Sequence, residues 1–195
     1  MLRLLAVAAL LVATASPAFA HLDPGEHGSI AAGFSHPLFG VDHILAMVAV
    51  GLWAALLGGR AIWAVPVTFV SLMTAGFAAS FVGMPLPYVE PAILASIVAF
   101  GLLIAIAAPI PVGLVLAVTG FFAIFHGYAH GSELGSAGAF AFGAGFIVAT
   151  SLLHVAGVAV GAGLMKLLAG NAGRTALRIA GGATAAYGMA LAIAG

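Results

Sequence analysis

The sequence predicts an all-α, polytopic membrane protein with six transmembrane helices that follow a cleaved signal peptide. Only 5% of the 195 residues are charged and 64% are hydrophobic, whereas about a quarter of a typical soluble domain is charged. The apolar residues form uninterrupted runs close to the ~20 residues that a membrane-spanning helix needs. These runs lack the alternation of a transmembrane barrel, so helices are the expected spanning elements.

The first twenty residues have the three parts of a secretory signal. Arg3 provides the positive charge, residues 4–12 form an apolar stretch, and residues 18–20 (Ala-Phe-Ala) form a small-residue cleavage site. Cleavage would leave residues 21–195 as a single six-helix transmembrane domain. The alternative is an uncleaved anchor helix, and in either case the chain around His27 lies outside the cytoplasm.

The mature chain divides into six apolar segments of membrane-spanning length. The first segment begins at Pro37, a residue suited to the first position of a helix, which makes His36 its predicted N-cap. The fifth segment is long and rich in glycine, so we expect it to be tilted or irregular. The six predicted spans are 37–57, 62–82, 91–108, 112–130, 137–165 and 175–194.

The distribution of basic residues predicts the orientation of the spans. If the mature amino terminus is outside, the basic residues of the mature chain lie on the cytoplasmic side, as the positive-inside rule requires. They are Arg60, Lys166, Arg174 and Arg178. The cleavage site and the charge bias therefore predict the same topology, with both ends of the mature chain outside.

Two short stretches hold four of the seven histidines and two of the five acids. They contain His36, Asp42 and His43 at the start of the first span, and His126, His130 and Glu133 at the end of the fourth. Ionisable residues beside membrane-buried runs are costly and usually functional. Because the chain has no cysteine, its ligands are imidazole and carboxylate, a set suited to a borderline or hard divalent cation. The predicted topology brings both stretches to the outer face, which indicates one metal site.

The spacing within each stretch supports this interpretation. His36 and His43 are two helical turns apart and project from nearly one face. His126 and His130 are an i, i+4 pair, the spacing that allows two imidazoles to share an ion. Glu133 continues that face if the helix persists that far. Neither stretch alone offers a full ligand set, so we expect the two to approach each other.

Three further features have weaker signals. Glu90 has two interpretations, as an ion-entry residue or as a marker of the membrane boundary before Pro91. We interpret His154 as a hydrogen-bonded packing residue, because polar side chains commonly bond between membrane helices. Gly157-x-x-x-Gly161 is a small-residue motif that predicts close helix contact.

The stretches His36-x5-Asp42-His43 and Phe125-His126-Gly-x-Ala-His130-Gly-x-Glu133 resemble the two signature motifs of the HupE/UreJ family of hydrogenase and urease accessory proteins. The resemblance extends from the signal peptide through all six spans. It implies a multi-pass permease of the bacterial inner membrane, with a periplasmic mature N-terminus, that imports nickel or cobalt for hydrogenase or urease maturation. It also implies a metal-transport role for His36, Asp42, His43, His130 and Glu133. To these predicted metal residues we add His126, which lies inside the second motif, and Glu90.

Other functions could use the same residues. An intramembrane metal-dependent hydrolase, the main alternative, would use Glu133 or Asp42 as a general base. A haem-binding electron carrier would use His43 and His130 as axial ligands. A structural accessory subunit would tolerate alanine at every motif position.

The expected partners are a transported divalent ion, with Ni²⁺ favoured by the resemblance, and the lipid bilayer. We expect no prosthetic group and no enzyme activity. The net charge of zero gives no indication of nucleic-acid binding, and the sequence contains no P-loop motif for ATP hydrolysis. The sequence leaves open whether the chain forms a homo-oligomer and whether a cytoplasmic metallochaperone receives the metal.

Overall fold

A computed structural model describes residues 29–134, 138–168 and 171–194, which form seven α-helices. The helices are α1 (Ile30–Phe39), α2 (Val41–Leu57), α3 (Ala61–Phe81), α4 (Val89–Ile106), α5 (Val112–Leu134), α6 (Ala139–Leu167) and α7 (Ala172–Ala194). The predicted signal peptide lies outside the described residues. The all-helical fold predicted from composition is confirmed.

Five helices, α3 to α7, are each long and apolar enough to cross a membrane. Helices α1 and α2 meet this criterion only as a pair, and the pair is bent by 85° at the break between them. The described residues therefore provide five spans made of a single helix each, and six spans if the bent pair counts as one. The chain is a multi-pass membrane protein.

The prediction for the start of the first span was wrong. The helix begins at Ile30, where the Ser29 hydroxyl accepts a hydrogen bond from the Ala32 amide at 3.0 Å. Pro37 therefore lies inside α1, and the helix ends at Gly40, whose extended backbone (ψ 114°) separates α1 from α2. Proline is well suited to a first turn, but here the N-cap serine eight residues earlier begins the helix.

Glycines set the closest helix pairs. Gly51 of α2 faces the backbone of Gly157 in α6, Gly76 of α3 faces the backbone of Ile124 in α5, and Gly101 of α4 faces the backbone of α7. A Cβ at any of these glycines would collide with main-chain atoms of the partner helix. The small-residue motif at Gly157 therefore functions in helix contact, as predicted. Helix α6 is continuous over its 29 residues, so its glycines do not make it irregular as we expected. Gly145 and Gly157 instead allow close contact with neighbouring helices, whereas a Cβ at Gly163 would meet nothing.

The bundle has two chemically distinct ends. The start of α2 and the end of α5 lie at what we call the histidine end. The basic residues of the described ranges lie at the opposite, basic end: Arg60 before α3, Lys166 in the last turn of α6, and Arg174 and Arg178 in the first turns of α7. The Arg178 Nε donates to the carbonyl of Ala105, near the end of α4, at 2.7 Å. This segregation of charge is the one that the sequence predicted.

Candidate metal site

The break between α1 and α2 brings an acid and a histidine to the start of a helix. Asp42 and His43 are in the first turn of α2, and Asp42 Oδ1 lies 3.2 Å from His43 Nδ1. A carboxylate is favourable at a helix N-terminus, where amide groups present partial positive charge. A Cβ at Gly40 would crowd the side chains of both Asp42 and His43. The glycine therefore leaves room for this pair as well as ending α1.

The Asp42 carboxylate sets the proton on His43. A negative carboxylate beside Nδ1 favours the neutral tautomer of His43 that carries its proton on Nδ1, which leaves the lone pair of Nε2 available. This Nε2 lies 2.6 Å from Nε2 of His130 in α5. In the neutral pair, His130 therefore donates to His43. Two imidazole nitrogens this close can become neighbouring ligands of one ion, since metal–nitrogen bonds are about 2.0–2.1 Å long.

His36 reaches the same place from α1. Its ring centroid lies 4.6 Å from that of His130 and 6.4 Å from that of His43. We predicted that one helix face would align His36 with His43, whereas the two residues meet across the 85° bend. Asp42 likewise lies in the first turn of α2 and not within a helix that starts at Pro37. The three histidines do lie close together, as predicted. Their proximity results from the bend between α1 and α2 and not from the spacing of residues along one helix.

Two aromatic rings from α6 pack against His36 and His130. Phe142 contacts the His36 ring, with 5.6 Å between centroids, and Phe146 contacts the His130 ring at 4.6 Å. Gly33 of α1 packs on the backbone of Phe142, which holds α1 across the start of α6. These apolar neighbours limit the access of water, which strengthens any electrostatic interaction within the site.

His126 is fully buried and has a different partner from His130. The Ser96 hydroxyl of α4 donates to the carbonyl of Ile93 at 2.6 Å and lies 2.9 Å from Nε2 of His126. Because that hydroxyl has one proton, it must accept the hydrogen bond from His126 Nε2. His126 and His130 therefore make different hydrogen bonds, and the sharing of one ion by this i, i+4 pair stays a prediction. The His126 ring instead contacts the His43 ring, at 5.6 Å between centroids.

The remaining predicted residues have separate positions. Helix α5 continues past Gly131 to Leu134, so Glu133 lies in its last turn as the shared-face argument required; its side chain is not described. Glu90 is exposed in the first turn of α4, and no described contact joins it to the histidines. His154 is buried in α6 and its Nδ1 lies 2.9 Å from the carbonyl of Met47 in α2.

Exposure decreases steadily along the site. The side chains of Asp42 and His43 are 33% and 13% exposed, and the residues His130 and His126 are 3% and 0% exposed. The carboxylate is thus the most accessible ligand and the imidazoles lie progressively deeper. Within the described ranges, no three His, Asp or Glu side chains form a ready metal-binding group.

Sequence reasoning missed the residues that orient the histidines. Ser96 fixes the His126 ring, and Phe142 and Phe146 pack on the others. An isolated serine within the apolar run of α4 is a signal that could have identified Ser96, because polar residues in membrane helices usually bond to another helix. Nothing in the sequence identifies the two phenylalanines among the 13 in the chain.

The fold and the site define a polytopic membrane protein with an intramembrane cluster of imidazole and carboxylate groups. A family model described as HupE / UreJ protein matches residues 8–191. The chain is 46% identical over 183 residues to "Protein HupE" of Rhizobium leguminosarum bv. viciae, which covers 93% of this chain and 94% of that relative. No solved structure matches the chain. The protein belongs to the HupE/UreJ family of hydrogenase and urease accessory proteins.

Proposed function

We propose that the chain is a permease that admits Ni²⁺ from the periplasm to the cytoplasm for metalloenzyme maturation. The observation that carries this proposal is the convergence of Asp42, His43 and His130 at one end of the bundle, with exposure that falls from 33% at Asp42 to 3% at His130. Imidazole and carboxylate ligands suit Ni²⁺ and Co²⁺. Membership of an accessory family for nickel enzymes favours nickel.

In this proposal the histidine end faces the periplasm. The basic end then faces the cytoplasm, as the positive-inside rule requires for Arg60, Lys166 and Arg174. Asp42 attracts the hydrated cation and replaces part of its hydration shell. His43 then supplies its Nε2 lone pair, and His130 supplies its Nε2 as the second nitrogen when its ring proton is transferred to Nδ1, which gives the other neutral tautomer. His36 and Glu133 are the further candidate ligands at this entrance.

The membrane potential is a sufficient driving force for this uptake. A potential supplies about 2.3 kcal/mol per unit charge per 100 mV, hence about 4.6 kcal/mol for a divalent ion. That free energy corresponds to a concentration ratio of about a thousandfold. A trace metal can therefore accumulate without ATP hydrolysis.

Asp42→Asn tests the proposal because it retains the shape of the side chain and removes its charge. In cells that lack other nickel importers, we expect ⁶³Ni²⁺ uptake to fall to background while the protein still reaches the membrane. Ser35→Ala is the matched control, since the Ser35 hydroxyl donates to the Ala32 carbonyl of its own helix. Uptake that survives both Asp42→Asn and Glu133→Gln, or collapse of the potential, would contradict the proposal.

A further inference from the structure

Two histidines below the entrance each have a ring nitrogen without a described protein partner. They are His126 in α5 and His154 in α6, and both are 0% exposed. The atoms concerned are Nδ1 of His126 and Nε2 of His154. Buried polar groups in native proteins almost always have a partner, so each such atom calls for a physical explanation.

The partners of the other two ring nitrogens determine where the protons are. Met47 presents a carbonyl oxygen, which can only accept, so His154 carries its proton on Nδ1. The Ser96 hydroxyl has already donated to Ile93, so His126 carries its proton on Nε2. Each unpartnered nitrogen is therefore the unprotonated nitrogen of a neutral ring and has an available lone pair. A bare imidazole lone pair is a metal ligand in its binding-competent form.

These two rings continue the line of the entrance histidines. The His43 ring contacts the His126 ring at 5.6 Å between centroids, and the Phe69 ring contacts both His126 and His154, at 5.5 and 5.0 Å. Thr150, one helical turn before His154 in α6, is also 0% exposed and its hydroxyl oxygen has no described protein partner. The Phe69 ring thus joins the two histidines in one buried region shared by α3, α5 and α6, and Thr150 lies on the face of α6 that carries His154.

We propose that His126 Nδ1 and His154 Nε2, with the hydroxyl of Thr150, provide a second and deeper binding station for a divalent transition-metal cation. This inference rests on the proposed function, because the station would receive the ion from His43 and His130. Each nitrogen is held by a hydrogen bond on the opposite side of its ring, the arrangement by which proteins orient metal-binding histidines. His154 is then a transport residue as well as a packing residue.

Two substitutions of His154 separate the two roles. Asparagine places an N–H near the position of Nδ1, so His154→Asn retains a donor to Met47 and removes the Nε2 ligand. Glutamine places its amide near the position of Nε2, so His154→Gln retains a polar group there and loses the bond to Met47. For His154→Asn we expect the maximal rate of Ni²⁺ uptake per protein molecule to fall about tenfold or more, with an unchanged half-saturation concentration. His154→Gln should retain more of the rate.

A purely structural His154 would give the opposite order. His154→Asn would then transport Ni²⁺ at the wild-type rate, and His154→Gln would lose protein from the membrane. Either wild-type transport by His154→Asn, or a loss of rate that only follows a loss of folded protein, overturns the deeper station. Neither result affects the proposed function, which fails separately if the wild type shows no uptake or if Asp42→Asn has no effect.

Direct binding gives a second measurement. The purified full-length protein in detergent is titrated with Ni²⁺, alone and with both His43→Ala and His130→Ala. We expect the double variant to retain a class of bound Ni²⁺ that is lost when His154→Asn is added. Retention of all Ni²⁺ binding in the triple variant contradicts the proposal.

Discussion

Three of the histidines each have one neighbouring group that determines which ring nitrogen carries the proton. Asp42 sets the proton of His43, Ser96 that of His126, and the Met47 carbonyl that of His154. Such partners orient the ring and leave the other nitrogen available. In a buried site the orienting groups therefore matter nearly as much as the ligands.

Ser96→Ala is a specific test of this idea. The substitution leaves His126 Nε2–H buried without an acceptor, which costs about 1–3 kcal/mol. We expect the His126 ring to lose its orientation and Ni²⁺ uptake to fall several-fold, with a lower temperature of unfolding in detergent. Ser151→Ala is the control, since the Ser151 hydroxyl donates to the Ile147 carbonyl of its own helix. Equal uptake by the two variants would contradict an orienting role for Ser96.

At the scale of the helices, the break at Gly40 creates the entrance. A single straight helix would place His36 and His43 along one face and Asp42 to the side. The 85° bend instead places His36 over His130 and lets Asp42 and His43 begin a new helix. The sequence contained both Pro37 and Gly40, but the choice of break depends on how α1 packs across α6 through Gly33 and Gly145.

Neighbouring glycines in α7 test the importance of close helix contact. A Cβ at Gly181 would collide with the carbonyl of Gly101 and the side chain of Ile104, whereas a Cβ at Gly182 meets open space. We expect Gly181→Ala to destabilise the bundle by about 1–3 kcal/mol through overpacking. Gly182→Ala should be neutral or stabilise the helix by up to about 1 kcal/mol. Thermal unfolding of both variants in detergent provides the measurement, and matching losses of stability would contradict the packing argument.

At the scale of the whole molecule, the helices pair in a regular pattern that is not visible in the sequence. The closest pairs are α2 with α6, α3 with α5 and α4 with α7. If α2, α3 and α4 are exchanged in order with α5, α6 and α7, the same three pairs result. Two halves related in this way are typical of an inverted repeat. The histidine motifs do not follow the pattern, because they occupy the start of α2 and the end of α5. The fold can thus pair its halves regularly while only one end carries the metal ligands.

The opposite ends of the bundle also predict its orientation in the membrane. Reporter fusions after Leu134, at the histidine end, should be active outside the cytoplasm, and fusions after residue 170, at the basic end, should be active inside. The reason is the retention of Arg60, Lys166 and Arg174 on the cytoplasmic side. The reverse result would place the histidines on the cytoplasmic side and exclude them as a periplasmic entrance.

Much of the fold and part of the site could be predicted from the sequence. Five of the six predicted spans correspond to single helices in the structure, because lipid requires long apolar helices whose composition is visible in the chain. The proximity of His43 to His130 also followed, since buried ionisable groups are expensive and tend to share a place. The order of the spans was enough to predict that the two histidine-containing stretches lie at the same face of the membrane.

Sequence by itself determined the class of protein, the number of apolar segments and the end of the bundle that carries the histidines. Only the tertiary structure decided the bend at Gly40, the pairing of His126 with Ser96, and the bare nitrogen of His154. The physical reason is the range of the interactions. Hydrophobicity and charge bias are sums over local residues, whereas the direction of a buried side chain depends on atoms that another helix supplies.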